Sequence, residues 1–277
     1  VIGVFDLTGK NAVIVGGAGV LGGSMTKALA QAGAEVYVFS RSLPNAERAA
    51  GEADKVGKGG RGARFGQVDA GSRQSLGEAA DRVRDAFPRL DILVNAVGGN
   101  APGATTGEKA AFEDLDVAEL GKVVELNLFA GAILPCQAFL PLLTAGGGRG
   151  SIINVTSVNA CRPLTRIPGY SAAKAAVSNF TQWLAVDLAK RFGDRVRVNA
   201  ICPGFFLTEQ NRFLLTEEGT GELTARGRSI LSSTPMGRFG EPEELGGALI
   251  WLASEASRFV TGAVVPVDGG FTAFSGV

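Results

Sequence analysis

The sequence predicts an α/β fold built as a doubly wound parallel seven-stranded sheet with helices on both faces, and three observations carry that prediction. Seven apolar runs of strand length alternate with segments of helical periodicity. The runs are rich in Val, Ile and Leu throughout, as in AVIV and DILV, which suits strands buried on both faces. A glycine-dense turn follows the first run at once, where a crossover helix starts. The expected strands are Asn11 to Val15, Glu35 to Phe39, Ala63 to Val68, Leu90 to Asn95, Ser151 to Val155, Val196 to Ile201 and Ala263 to Val267. Between them lie the expected helices Leu21 to Ala32, Pro44 to Val56, Ser72 to Phe87, Val117 to Leu134, Tyr170 to Arg191 and Glu241 to Ser254. Right-handed crossovers in such a Rossmann-like sheet place ligands beyond the carboxyl ends of the strands.

Size and composition bound the rest. A chain of 277 residues sits near the upper limit for one hydrophobic core, and no linker or repeat divides it, so a single domain over residues 1–277 is expected. The glycine-rich pieces Gly57 to Gly62 and Gly146 to Gly150 read as short turns before strands. The longest irregular stretch, residues 205–235, reads as a substrate-binding lid. Twenty-seven basic residues balance twenty-seven acidic ones, so no global field gathers nucleic acid or anionic membrane. The apolar segment Val123 to Leu143 carries Glu125, Asn127, Pro135, Gln137 and Pro141, which argues for a buried or interface helix rather than a membrane span. The opening VIGVFDLTGK has neither a charged leader nor an apolar signal core, so a cytoplasmic location is expected. Cys136, Cys161 and Cys202 are odd in number and widely spaced, which reads as buried small hydrophobes. Trp183 and Trp251 fall at core-like helical spacing and read as packing residues. The chain has no histidine, which removes Ser-His-Asp catalysis, His-assisted cysteine chemistry and nearly all catalytic zinc sites; no metal is expected.

At the first strand end the chain reads Gly16-Gly17-Ala18-Gly19-Val20-Leu21-Gly22-Gly23. Glycine lets the backbone approach a pyrophosphate, and a helix N-terminus offers free N–H groups, so Gly16, Gly19, Val20 and Leu21 are candidate cofactor contacts. The second strand ends at Ser40-Arg41, where an NAD-selective site usually places a carboxylate for the ribose hydroxyls. Arg41 instead matches a 2′-phosphate, which favours NADP over NAD; a solvated arginine is the plain alternative. Asp69 closes the third strand, placed to accept from an adenine amino group or to cap the next turn.

The chemistry concentrates further along. The fifth strand runs into Asn154-Val155-Thr156-Ser157, and Tyr170 and Lys174 lie one helical turn apart on one face. A free tyrosine ionises near pH ~10, and a neighbouring ammonium is the expected means of bringing it down. Ser157 is placed to hold the same substrate oxygen.

These residues resemble the short-chain dehydrogenase/reductase family, whose pattern joins a glycine turn, an Asn-Ala-Gly segment, and Ser with Tyr-x-x-x-Lys; the thirteen-residue step from Ser157 to Tyr170 matches it. So do Asp69, Asn95-Ala96-Val97-Gly98, Asn127, Pro203-Gly204 with Thr208, and Val267-Asp268-Gly269-Gly270, together covering nearly the whole chain. Val15 and Val20 depart from the threonine and the middle glycine of the family's turn, and Ala96 and Val97 from its Asn-Asn-Ala-Gly. The resemblance implies that Tyr170 is the acid/base, that Lys174 binds the nicotinamide ribose and lowers the tyrosine pKa, that Ser157 holds the reacting oxygen and that Asn127 positions a relay water. It also implies cofactor contacts at Asn95, Ala96, Gly98, Tyr170, Lys174, Pro203, Gly204, Phe206 and Thr208.

The C-terminal stretches PGFFLTEQNR, TPMGRFGEPEEL and PVDGGFTAFSGV resemble a narrower group within that family, the D-mannonate (sugar-acid) oxidoreductases. Residues 208–212 offer a polar lining; Arg162 or Arg212 would clamp a carboxylate and Asn159 a hydroxyl, against the plain reading of solvated residues. Phe205, Phe206 and Phe213 read as an apolar wall or as core. The expected reaction interconverts a secondary alcohol and a ketone on a small molecule, with a general ketone or 3-oxoacyl thioester reductase and a non-catalytic dinucleotide sensor as alternatives. Surplus apolar surface on the two long helices predicts a homodimer or homotetramer.

Overall fold

The computed structural model describes residues 2–58, 62–107, 110–208, 212–217 and 219–276. One parallel sheet of seven strands runs in the order β3-β2-β1-β4-β5-β6-β7. The strands are β1 (Asn11–Val15), β2 (Glu35–Ser40), β3 (Arg64–Gln67), β4 (Ile92–Asn95), β5 (Gly150–Val155), β6 (Val196–Pro203) and β7 (Val264–Val267). The α-helices are α1 (Val20–Gln31), α2 (Leu43–Val56), α3 (Arg73–Ala86), α4 (Val117–Val124), α5 (Leu134–Thr144), α6 (Pro168–Phe192), α7 (Arg212–Leu215), α8 (Ala225–Ser232) and α9 (Leu245–Ala253).

The period-two alternation of each strand builds two cores. Ala12 and Ile14 pack with Met25, Leu29 and Leu249 of α1 and α9 on one face. Val13 and Val15 turn to the other face and join Phe139, Leu143 and Leu188 of α5 and α6. Strand order reverses between β1 and β4, where a crevice opens for a ligand. Val15 pairs with both Phe39 and Asn95, and Asn95 with Asn154, so the strand ends that frame this crevice are level.

Sequence patterning places the strands well, whereas the helices differ: α7 and α8 lie within residues 205–235, expected as irregular. The helix expected at Val117 to Leu134 runs on to Thr144, and its middle, Glu125–Ile133, is a π-helix. Two local causes are visible. Pro135 has no N–H to donate, and the Asn127 amide donates to the Val123 carbonyl at 2.8 Å, intruding on the regular ladder. The stretch Val117–Gly147 is long and apolar enough to cross a membrane by length and composition. Here its Val123, Ala132, Phe139 and Leu143 are buried in the protein. Trp183 differs from the packing role expected of it: it is 61% exposed on α6, beside exposed Val186. Cys136 and Cys202 are buried as expected, whereas Cys161 is exposed.

Candidate active site

The carboxyl ends of β1, β4, β5 and β6 and the start of α1 surround a cleft of about 660 Å³. Its floor at one end is the glycine turn. Gly16 has φ +86°, and a Cβ there would lie 2.8 Å from the Ala96 carbonyl carbon. A Cβ on Gly22 would lie 2.2 Å from the Gly16 carbonyl oxygen, so the first turn of α1 sits directly on the loop. Gly19 precedes α1 and makes no side-chain cap, which leaves the helix N-terminus facing the cleft beside Val20 and Leu21. Val20, at the family's middle-glycine position, is therefore part of the wall.

The other end gathers Ser157, Tyr170 and Lys174. Lys174 is 3% exposed, donates from Nζ to the Val155 carbonyl at 2.9 Å, and offers its own carbonyl to Thr156 Oγ1, also at 2.9 Å. One residue thus ties α6 to the end of β5 twice. Burial lowers the Lys174 ammonium to about 8. The half-buried Tyr170 hydroxyl is hydrogen-bonded to Ser157, and the Lys174 ammonium lies 5.8 Å from the Tyr170 ring centroid. Tyr170 is raised above its ordinary value, because burial outweighs the Ser157 hydrogen bond. Lys174, expected to lower the phenol, is itself desolvated and directed at a carbonyl, and burial sets the direction of the Tyr170 shift.

Ser157 is oriented from behind. The Asn159 backbone N–H and side-chain amide each donate to Ser157 Oγ at 3.3 Å, and Ser171 Oγ donates to Asn159 Oδ1 at 3.4 Å. Asn159, a candidate substrate contact in the sequence, is 7% exposed with its amide committed to the serine. Asn127 is fully buried: Nδ2 donates to Gly99 O at 2.6 Å, and Oδ1 accepts from Gly99 N at 3.1 Å. A Cβ on Gly98 would lie 2.7 Å from Asn127 Oδ1 and 3.0 Å from Lys174 Nζ, so only glycine passes between them. Pro203, Gly204, Phe206, Thr208 and Ala96 line the cleft. Gly204 is held by a bond to Val267 O at 3.0 Å and a Cβ there would lie 2.7 Å from Asp268 Cα, so this turn packs directly on the Val-Asp-Gly-Gly segment.

Other candidates stand apart. Asn95 does not line the cleft; it is fully buried and donates to Asn154 Oδ1 at 2.9 Å, and Asn154 donates to Thr181 Oγ1 at 2.9 Å. Period two turns it toward Leu93's face, under Cys136 of α5. The exposed Asp69 carboxylate accepts from Gly71 N at 3.0 Å and caps its turn. Ser40 Oγ accepts from Ser42 N at 3.3 Å, and the exposed Arg41 guanidinium has no partner among the described residues. Arg162 and Arg212 are exposed and neither lines the cleft. Glu209, Gln210, Asn211 and the Phe213 side chain lie outside the described residues. No motif in the sequence points to Arg166 or Arg226. Arg166 has φ +80° and donates from Nε to Thr106 O at 3.0 Å, lining a second hollow next to Asn159. Arg226 of α8 is half-buried and its guanidinium is lowered first by burial and then by the charge of Arg166.

The glycine cradle, the uncapped helix and the buried lysine fit a dinucleotide carrying a nicotinamide. When bound, that group supplies hydride transfer and a cationic ring beside the phenol. Around it, Ser157 would hold the reacting oxygen while Tyr170 gives or takes its proton.

Comparison with known proteins agrees with this geometry. A family model described as enoyl-(acyl carrier protein) reductase matches residues 17–272, and the chain belongs to the short-chain dehydrogenase/reductase family. It is 44% identical to an uncharacterized oxidoreductase, UxuB, of Bacillus subtilis strain 168, over 98% of both chains. A solved Haemophilus influenza structure, described as a candidate D-mannonate oxidoreductase with bound NAD, is 41% identical with a TM-score of 0.87 over 98% of both chains. A Burkholderia cenocepacia gluconate 5-dehydrogenase in complex with NADP and tartrate is 31% identical, with a TM-score of 0.83 over 98% of both chains. The chain is an oxidoreductase that uses a nicotinamide dinucleotide on a small molecule bearing a CH–OH group.

Proposed function

We propose that the protein interconverts a secondary alcohol and a ketone on a sugar acid of the mannonate/fructuronate type, with NADP as the favoured cofactor. The observation that carries the reaction class is the convergence of Ser157, Tyr170 and Lys174 on one cleft at the strand ends. The Haemophilus and Burkholderia likenesses support a sugar acid, and Arg166, at the hollow beside Asn159, joins Arg162 and Arg212 as a candidate for its carboxylate. Arg41, exposed at the end of β2, supports NADP, although the Haemophilus relative binds NAD. Residues 205–235 serve as the lid; within them Leu214, in α7, lines the cleft. Three free thiols suit a cytoplasmic location, and exposed Phe129, Trp183 and Val186 on the long helices support association of copies.

The test follows NADPH and NADH absorbance with fructuronate, simple ketones and an acetoacetyl thioester. Turnover of fructuronate alone supports the reading. Turnover of the thioester alone moves the protein to 3-oxoacyl reduction, which the apolar wall of Phe205, Phe206 and Leu214 favours.

A further inference from the structure

Cys161 and Cys202 are 41 residues apart in sequence, yet their Sγ atoms lie 4.0 Å apart. The two sulfurs differ in access. Cys161 is exposed, in the turn that follows the short helix Val158–Ala160, whereas Cys202 is fully buried in β6. Their positions flank the active site: Cys161 follows Ser157 by four residues, and Cys202 directly precedes Pro203 and Gly204 of the cleft wall.

We propose that Cys161 and Cys202 form an oxidative modification site, closed to a disulfide by a hydroperoxide and reopened by thiols, and that closure slows turnover. In the first step the Cys161 thiolate attacks a peroxide oxygen. An S–O bond forms, the O–O bond breaks, and the second oxygen leaves as water. In the second step Cys202 Sγ attacks the Cys161 sulfur. The S–S bond forms, the S–O bond breaks, and the hydroxyl leaves as water with the Cys202 proton. Two thiols and one hydrogen peroxide thus give one disulfide and two waters.

Access assigns the order, since only Cys161 meets solvent. Burial and the neighbouring Cys161 hold the Cys202 thiol well above the ordinary range, which makes it the resolving partner and not the first to react. Cys202 also bears on the Tyr170 hydroxyl, so the pair is electrostatically in touch with the acid/base. Closing the gap to a bond of ~2.05 Å must draw the exposed turn toward the strand, because β6 is fixed between β5 and β7. That turn is continuous with Ser157 and Asn159. Cys136 supplies an internal control, since burial pushes its thiol up to about 12.

The experiment treats the intact protein with hydrogen peroxide and reads intact mass, thiols titrated in denaturant, and activity on whichever substrate it turns over. The expected result is a loss of two hydrogens in mass, a fall from three thiols to one, a Cys161–Cys202 cross-linked peptide, and a drop in activity of roughly tenfold that dithiothreitol reverses. Cys161→Ser should keep its activity under the same treatment. Oxygen added to Cys161 with Cys202 still a free thiol would overturn the disulfide. Full activity in cross-linked protein, or wild-type sensitivity in Cys161→Ser, would overturn its effect on turnover. The mass and thiol readings need no substrate, so they stand apart from the sugar-acid assignment.

Discussion

Lys174 Nζ donates to the Val155 carbonyl at 2.9 Å, while the Lys174 carbonyl accepts from Thr156 Oγ1 at the same distance. Helix α6 is therefore registered on β5 through a buried lysine, and that charge is expensive to hold in a buried site. Because burial lowers Lys174 to about 8 in the folded protein, from 10.5, the unfolded protein binds more protons between those values. Stability should then rise with pH across that window. Lys174→Met should stabilise the fold at pH 7 by on the order of 2 kcal/mol, after the lost hydrogen bond is subtracted, and should flatten the rise above pH 8. Urea melts from pH 7 to 10.5 measure both effects; a destabilised variant at pH 7 would contradict the argument.

Tyr170→Phe removes the proposed proton carrier and leaves the cleft shape intact. Turnover should fall by about 10²–10⁴, with dinucleotide binding, read by fluorescence, changed by less than about threefold. Since burial raises the phenol, alcohol oxidation, which needs the phenolate, should accelerate as pH rises, and ketone reduction, which needs the phenol, should decline only on the alkaline side. A pH–rate profile in each direction checks the sign.

Arg41→Ala tests cofactor choice. Its guanidinium is exposed at the end of β2 and engaged with no described residue, so its loss should leave stability within ~0.5 kcal/mol. The KM for NADPH should rise by about tenfold or more and that for NADH by less than about twofold. Equal changes for both would remove the 2′-phosphate role.

Gly22→Ala puts a methyl 2.2 Å from the Gly16 carbonyl oxygen, a backbone atom that cannot swing away. The cost should be roughly 2 kcal/mol or more of stability, together with a loss of dinucleotide affinity, because the displaced loop carries the N–H groups of the cradle. Thermal melts with and without NADPH separate the two losses.

Phe139→Ala probes the core under α5, where the ring is fully buried and 6.2 Å from Phe39. A loss of about 3–5 kcal/mol in chemical denaturation is expected.

The sheet, most helices and the Ser157/Tyr170/Lys174 grouping are legible in the sequence because apolar period and motif spacing are local properties of a polypeptide. What escapes is set by neighbours. Asn95 matches the motif by letter, but strand alternation turns it inward to Asn154. The direction of the Tyr170 shift depends on how much water reaches the hydroxyl, which spacing does not record. Arg166 and Arg226 come from segments 60 residues apart, so no local pattern distinguishes them from Arg162 and Arg212. Pro135 and Pro141 lie inside the segment read as a buried or interface helix, and the π turn before them, which the apolar pattern does not record, gives Pro135 a place where no N–H is missed.

The π segment Glu125–Ile133 also fixes the azimuth of everything after it. Each residue of an α-helix turns the backbone by ~100°, so deleting one residue between Asn127 and Phe139 with the winding otherwise kept would rotate α5 by about that amount relative to α4. Phe139 and Leu143 would leave the core in the same stroke that moved Asn127 off Gly99. The length of this loop-free stretch is therefore constrained from Val117 to Leu143, and single-residue insertions or deletions within it should cost stability.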